Sequence, residues 1–178
     1  SRVEGYRNFA TKLWNASRFA EMNGAVHGGA FDPSSAKEKL NRWIATETTR
    51  TARAVTEALE AYRFNDAANT LYRFVWNTFC DWYLELVKPV LMNEDADAAA
   101  KAETRAAIGW TFDRIVTLLH PFMPFITEEL WGRTGTRDEM LVLTYWPRLA
   151  FEDEAAASEI NWLVDLITSV RSVRSEIN

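Results

Sequence analysis

The chain alternates between long stretches in which apolar residues recur every three or four positions and short stretches rich in Gly, Pro, Asp and Asn. Apolar residues at that spacing line one face of an α-helix. Five long stretches follow the pattern, and they cover residues 3–23, 35–62, 66–87, 98–120 and 154–177. Because short connections join antiparallel neighbours, the sequence predicts an all-α, antiparallel bundle of about five long helices.

Helix-breaking and capping residues set the predicted boundaries. Asn23 and Gly24 are a favourable C-terminal stop for the first helix. Ser34 or Ser35 can cap the second helix, with Glu38 in capping-box register after Ser35. Pro89 is expected to end the third helix, since proline interrupts helical hydrogen bonding.

The region between the fourth and last helices is predicted to be less regular. Pro121 and Pro124 break the helix there, and residues 127–131 form a short helical turn. Residues 141–146 are predicted to be an extended strap across the bundle, with alternation that also suits a lone strand.

Two helices have clear predicted inner faces. The inner face of the first helix is expected to comprise Tyr6, Phe9, Leu13, Ala16 and Ala20. That of the last helix is expected to comprise Ile160, Leu163, Leu166, Ile167 and Val170. Residues 1–155 are interpreted as one helical domain, and residues 156–178 as a last helix that leads onward. Both chain ends suggest a fragment cut from a longer protein.

Composition narrows the class of protein. The chain has 178 residues, of which 48% are hydrophobic, and a net charge of −5. Its lone Cys80 lies among apolar residues and is expected to be buried and unreactive. With His27 and His120 far apart in sequence, no metal site is predicted, and no apolar run is long enough to span a membrane. One cysteine and no disulfide suit a reducing, intracellular compartment.

No catalytic site is predicted. The sequence has no glycine-rich phosphate loop and no paired-histidine motif. Glu128 and Glu129 are adjacent, so on a helix they point about 100° apart and cannot act as a facing acid–base pair. A lone histidine beside a proline, such as His120, is more often structural.

Positive charge is concentrated in the first helix. Residues 1–19 hold Arg2, Arg7, Lys12 and Arg18 against Glu4 alone, whereas residues 93–103 hold four acidic residues against Lys101. The overall negative charge argues against nucleic acid, but a locally basic helix can still bind RNA at a confined site.

A polar stripe runs along the same helix beside its apolar face. It comprises Asn8, Lys12, Asn15 and Phe19, at positions i, i+4, i+7 and i+11. Arg7 and Arg18 lie on the opposite flank. Lys and Arg can hold phosphates, Asn can bind base edges, and a phenyl ring can stack on an unpaired base. The pattern alone favours the alternative, a solvated polar face with Phe19 in the core. Trp14 and Trp43 are likewise expected to pack in the core.

Three segments resemble one family of proteins. Residues 5–19 are GYRNFATKLWNASRF, residues 79–89 are FCDWYLELVKP, and residues 120–131 are HPFMPFITEELW. The first two resemble the helical domain that follows the catalytic core of valyl-tRNA synthetases. The third is similar to a segment shared by the synthetases for valine, isoleucine and leucine.

The resemblance implies a parent that is a class I ligase joining valine to tRNA(Val) with ATP and Mg²⁺. This chain would be its anticodon-binding bundle, needing no cofactor itself and lying against the catalytic core of the same polypeptide. It would belong to a cytoplasmic monomer, and residues 156–178 would lead towards a C-terminal arm. The anticodon of such tRNAs ends in A and C. The resemblance assigns the anticodon contact to Lys12, Arg18 and Phe19, and then to Asn15 and Arg7.

Two other functions remain open from the sequence. The same domain occurs in isoleucyl- and leucyl-tRNA synthetases, which would bind other tRNAs. A helical bundle whose acidic surface docks a protein partner, without binding RNA, would also account for the negative charge.

Overall fold

The computed structural model describes residues 2–29 and 31–177, apart from the side chain of Arg2. Its helices are α1 (Arg2–Met22), α2 (Lys39–Glu60), α3 (Phe64–Arg73), a π-helical segment (Phe74–Tyr83), α4 (Leu84–Met92), α5 (Ala98–Leu119), α6 (Pro124–Thr134) and α7 (Glu154–Ile177). Two 3₁₀ turns occur at Pro33–Ser35 and Leu141–Leu143, and these described ranges contain no strand. The predicted all-α helical bundle is confirmed.

The centre of the bundle is α2, which packs against α3, the π segment, α5 and α7. Its threonine-rich middle is buried, which the sequence did not suggest. Thr46, Thr48 and Thr49 lie in the core and donate their hydroxyl protons to the carbonyl oxygens of Arg42, Ile44 and Ala45, at 2.8, 2.6 and 3.0 Å. Because each hydroxyl is satisfied within its own helix, burial costs these threonines little. Trp43 is buried as expected, at 2% exposure.

The predicted start of α2 was wrong. Residues 33–35 form a separate turn capped by Asp32, and α2 begins at Lys39 without a side-chain cap from its own N-cap residue. A carboxylate from α5 replaces that cap. Glu103 accepts hydrogen bonds from the backbone amides of Lys37 and Glu38, at 2.6 and 3.0 Å. A partner 65 residues away cannot be recognised from a local capping pattern.

One continuous helical rod of residues 64–92 is built from α3, the π segment and α4. Pro89 lies inside α4 instead of ending it, and the helix continues to Met92. The ten π-helical residues bury Val75, Phe79 and Tyr83. The wider π turns rotate this stretch relative to an α-helix, so side chains before and after it face different neighbours.

On α1, the predicted inner face is correct for four of its five residues. Phe9, Leu13, Ala16 and Ala20 are buried, but Tyr6 is 69% exposed. The first turns of α1 therefore stand clear of the bundle core. The helix ends as predicted, because Gly24 adopts a positive φ of 73° and lets the chain turn.

A buried charged cluster joins the loop after α1 to α5 and to the segment after α6. Asp113 of α5 accepts hydrogen bonds from both terminal nitrogens of Arg137, at 3.1 and 2.7 Å, and from the Gly28 amide at 2.7 Å. Nδ1 of His27 lies 3.2 Å from the same carboxylate. Burial alone would raise the pKa of Asp113, but the hydrogen bonds outweigh it and hold that pKa below its usual value.

The strap at 141–146 is not a strand. Residues 141–143 form a 3₁₀ turn, since Glu128 of α6 accepts the backbone N–H groups of Leu141 and Val142 at 2.8 and 3.2 Å. Beyond the turn the chain does cross the bundle, where the indole N–H of Trp146 donates to Thr56 Oγ1 at 2.8 Å. The alternation of apolar and polar residues in this stretch could not show that Glu128 accepts hydrogen bonds from these amides.

The first half of α7 contains all of its buried residues. Ile160 is buried, Leu163 and Ile167 are half-buried, and Leu166 and Val170 are 44% and 50% exposed. The expected inner face is therefore wrong for Leu166 and Val170. The buried residues of α7, Ala156, Ala157 and Ile160, all lie in its first two turns. The later turns contact the bundle more sparsely, as where the Arg171 guanidinium lies 5.3 Å from the centre of the Trp82 ring.

Candidate nucleic-acid interface

Helix α1 lies between two neighbours, the π segment on one flank and α6 on the other. The apolar face of α1 packs in the core. The two flanks beside that face carry different polar groups. The flank that carries Lys12 is called the π flank here, and the flank that carries Arg18 is called the α6 flank.

Lys12 makes the most specific contact on the π flank. Its Nζ lies 2.8 Å from Oδ1 of Asp81 and 4.9 Å from the centre of the Trp76 ring. The two charged side chains are 30% and 43% exposed, so water screens their attraction. An exposed pair of this kind contributes about 0–1 kcal/mol, so Lys12 can exchange Asp81 for another anion at small cost.

A row of aromatic rings extends from this lysine into the core. Trp76 stacks on Tyr72 with ring centres 5.5 Å apart and planes 25° apart, and Tyr72 contacts Phe9 at 5.2 Å. Phe9 is buried, whereas Tyr72 is 44% exposed. Half-exposed rings beside a cation are the combination on which single-stranded bases stack.

Phe19 lies on the π flank nearly two turns after Lys12 and is half-buried, packed against the core cluster. Nζ of Lys88, from α4, lies 5.7 Å from its ring centre. The ring is therefore neither fully in the core nor fully in solvent. One part is held by the core, and the remainder is accessible beside a second cation.

The remaining sequence-predicted residues divide between the two flanks. Asn15 is exposed and lies between Lys12 and Phe19 in helical register. Arg7 and Arg18 are exposed, three turns apart on the α6 flank, and Arg18 lines a cavity beside α6. The structure thus brings Lys12, Asn15 and Phe19 together, and places the two arginines on the other flank of the same helix.

Sequence reasoning missed the residues that surround Lys12 and Phe19. Asp81 and Trp76 come from the π segment, and Lys88 from α4. An α-helical reading of residues 66–87 gives the wrong rotation for this stretch, since each π turn takes an additional residue. No sequence signal in the first helix indicates which distant residues lie beside it.

Metal and thiol chemistry receive no support at this interface. Among residues 2–29 and 31–177, no three His, Cys, Asp or Glu side chains cluster as a metal site would require. Cys80 is buried, and that burial raises the pKa of its thiol to about 12. None of the described helices is long and apolar enough to cross a membrane.

Comparison with known proteins identifies the family. Residues 41–178 match the family model described as the anticodon-binding domain of tRNA ligase. The chain belongs to this family. The matched range begins within α2, so the candidate residues on α1 precede it.

Curated relatives extend the similarity over α1 as well. A valine–tRNA ligase of Rhodopseudomonas palustris is 55% identical over 100% of this chain and 22% of its own length. One of Brucella suis is 58% identical over 100% of this chain and 20% of its own length. This anticodon-binding domain therefore spans about a fifth of the relatives it matches.

A solved structure shares the fold at lower identity. It is the ternary complex of Agrobacterium radiobacter K84 agnB2 LeuRS with tRNA and LeuAMS, which is 19% identical with a TM-score of 0.55. The match covers 88% of this anticodon-binding domain and 17% of that chain. At this identity it supports the helical architecture alone.

Proposed function

We propose that this domain binds the anticodon stem-loop of tRNA(Val) as part of a valine–tRNA ligase. The observation that carries the proposal is the 55–58% identity to valine–tRNA ligases across the whole chain, α1 included. The parent would attach valine to tRNA(Val) using ATP and Mg²⁺, with a catalytic core outside this chain. This domain would lie against that core in a cytoplasmic, monomeric enzyme.

The π flank of α1 is the proposed site of base recognition. Phe19 would stack on one unpaired anticodon base, and Asn15 would hydrogen-bond a base edge. Lys12 would leave Asp81 for a phosphate or a base edge. The small cost of breaking that exposed pair supports this exchange, and the adjacent Trp76 and Tyr72 rings offer further stacking surface.

The π segment also supports a functional site at this position. Helices with i→i+5 hydrogen bonds are rare and often occur at functional sites, because they aim side chains that an α-helix would direct elsewhere. Here that stretch supplies both Asp81 and Trp76 to Lys12. Arg18, with Arg7 beyond it on the α6 flank, would hold the RNA backbone.

The last helix is proposed to lead from the anticodon-binding bundle towards a C-terminal arm. Residues 1–155 would form the anticodon-binding unit, and residues 156–178 would begin the connection to a C-terminal arm. The exposure of Leu166 and Val170 supports an onward role for the later turns of α7, whereas Ala156, Ala157 and Ile160 at its start are buried in the bundle.

Titration of the 178-residue chain with a tRNA(Val) transcript tests the proposed function. We expect binding at about 50 mM salt that weakens steeply as salt rises, because phosphate contacts release counterions. Replacing the valine anticodon should weaken binding, and equal affinity for both transcripts would refute anticodon recognition. Tighter binding to tRNA(Ile) or tRNA(Leu) would assign the domain to those ligases. No binding at any salt would favour a protein-docking bundle.

The Phe19→Ala variant tests the stacking role. We expect it to lose about 1–3 kcal/mol of RNA binding, since one base would lose its aromatic partner. Phe122→Ala is a matched control, because Phe122 is also half-buried against the core but lies in the α5–α6 turn. If the two variants bind RNA equally well and remain folded by circular dichroism, Phe19 is a packing residue.

A further inference from the structure

A cavity of about 740 Å³ opens on the α6 flank of α1. Its volume lies within the range of small-ligand sites, which is about 300–1,000 Å³. Side chains from α1, from the loop after it and from the end of α6 line the cavity, among them Trp14, Ser17, Arg18, His27, Arg133 and Thr134. The cavity is separated from Lys12 and the π flank by the width of α1.

Two arginines make this cavity attractive to an anion. Within the part of the chain that the structure describes, Arg18 has no ion pair or hydrogen bond through its guanidinium group. Arg133 pairs with Glu129 one helical turn away at 2.5 Å, but the two side chains are 61% and 55% exposed. Glu21 is the one carboxylate among the lining residues. Because the pair of Arg133 and Glu129 is exposed, it contributes little free energy, and Arg133 can exchange Glu129 for another anion at small cost.

Arg133 is held at the cavity wall by an aromatic ring. The Arg133 guanidinium lies over the Trp14 ring at 5.0 Å from its centre, so a cation–π contact holds it beside α1. A guanidinium held in this way loses less side-chain entropy when it binds a phosphate than a free one would.

Another part of the cavity wall is fixed by the buried Asp113 cluster. His27 lines the cavity and is tied to Asp113, and its side chain is only 3% exposed. In the described residues, His27 Nε2 is the buried side-chain polar atom without a hydrogen-bond partner. Such an atom costs free energy unless a ligand or water satisfies it.

We propose that this cavity binds a phosphate group of the RNA strand whose bases are recognised on the π flank, with Arg18 and Arg133 as its ligands. Arginine suits this role because its planar group binds phosphate oxygens in pairs. Helix α1 would then contact the RNA from both sides: bases on one flank and backbone on the other. The inference rests on the proposed function for the identity of the ligand as RNA, and it adds Arg133 and a second binding site.

The Arg133→Gln variant tests the site, because a phosphate contact carries no sequence information. We expect it to weaken binding of tRNA(Val) and of the anticodon-replaced transcript by the same factor. The ratio between the two affinities should stay unchanged, and the salt slope should fall by about 1. Phe19→Ala, in contrast, should reduce that ratio.

Arg63→Gln is the matched control. Arg63 is also 61% exposed and pairs with an acidic residue of its own helix region, Asp66, at 3.8 Å. It lies at the α2–α3 turn, outside the cavity, so its removal should leave RNA affinity and salt slope unchanged. Circular dichroism would check that both variants keep the helical content of the parent chain.

The possible outcomes distinguish failure of the cavity site from failure of anticodon recognition. RNA binding that is unchanged in Arg133→Gln overturns the cavity site and leaves anticodon recognition intact. A loss confined to the valine anticodon also overturns it, since Arg133 would then read a base. Adenosine monophosphate or inorganic phosphate that displaces RNA at equimolar concentration would show a site for free phosphates instead of a backbone contact. Failure of the unmodified chain to bind any RNA overturns both proposals.

Discussion

The backbone carbonyl oxygen of Val26 lies directly against Gly109 in the middle of α5. A Cβ atom at position 109 would be 1.8 Å from that oxygen and 2.3 Å from the carbonyl carbon of the same residue. The backbone amide of Val26 meanwhile donates to Arg105 O at 3.1 Å. The loop after α1 is therefore docked on α5 through backbone atoms, and no side chain fits between them.

Gly109→Ala should destabilise the domain despite the better helix propensity of alanine. Because the clash involves backbone atoms, the loop must move away from α5, at a cost of about 3 kcal/mol in the free energy of unfolding. Urea denaturation followed by circular dichroism would measure it. Gly132→Ala is the control, since a Cβ there meets nothing within 4 Å. That variant should gain up to about 1 kcal/mol, and equal stability of the two variants would contradict the backbone contact.

Asp113→Asn should remove an acid-sensitive part of the stability. The pKa of Asp113 is depressed in the folded chain, so its ionised form stabilises the fold fully above the unfolded value of about 4. That contribution is lost as pH falls below about 4, through the lower folded pKa. At pH 7 the variant should lose about 3–5 kcal/mol, because Arg137 would remain buried without its carboxylate.

Urea denaturation at pH 7 and at pH 3 would test this dependence. The difference in stability between the unmodified chain and Asp113→Asn should shrink at the lower pH. Asp66→Asn serves as the comparison, since Asp66 and its partner Arg63 are 62% and 61% exposed and their pair should contribute no more than about 1 kcal/mol. A gap that stays constant with pH would show that ionisation of Asp113 is not what stabilises the cluster.

Cys80 should be nearly inert towards alkylation in the folded chain. With burial raising the pKa of its thiol to about 12, roughly one thiol in 10⁴ is ionised at pH 8. The rate with iodoacetamide should therefore be at least ~10³-fold lower than in urea-unfolded chain. An exposed thiol placed by Ser35→Cys in a Cys80→Ala background provides the positive control. Equal rates before and after unfolding would mean that Cys80 is accessible.

The first helix shows how far sequence reasoning reached into the candidate site. Helical periodicity separated the core residues from the stripe of Lys12, Asn15 and Phe19, and the prediction holds for the core residues other than Tyr6, which is exposed. It could not supply Asp81 or Trp76, because they come from a segment more than 60 residues away whose π-helical turns break the α-helical register. The roles in RNA binding remain predictions.

The sequence by itself determined where most of the helices lie and which residues form the polar flank of α1, because these follow from interactions within a few residues of each other. The helical patterns and their short connections also indicated an all-α bundle. Tertiary packing decided the rest. It placed Glu103 at the start of α2, seated the Val26 backbone on Gly109, and left the outer half of α7 exposed. The cavity on the α6 flank also arose only when α1 and α6 came together. Contacts between residues far apart in the chain depend on how helices approach each other, which local periodicity does not record.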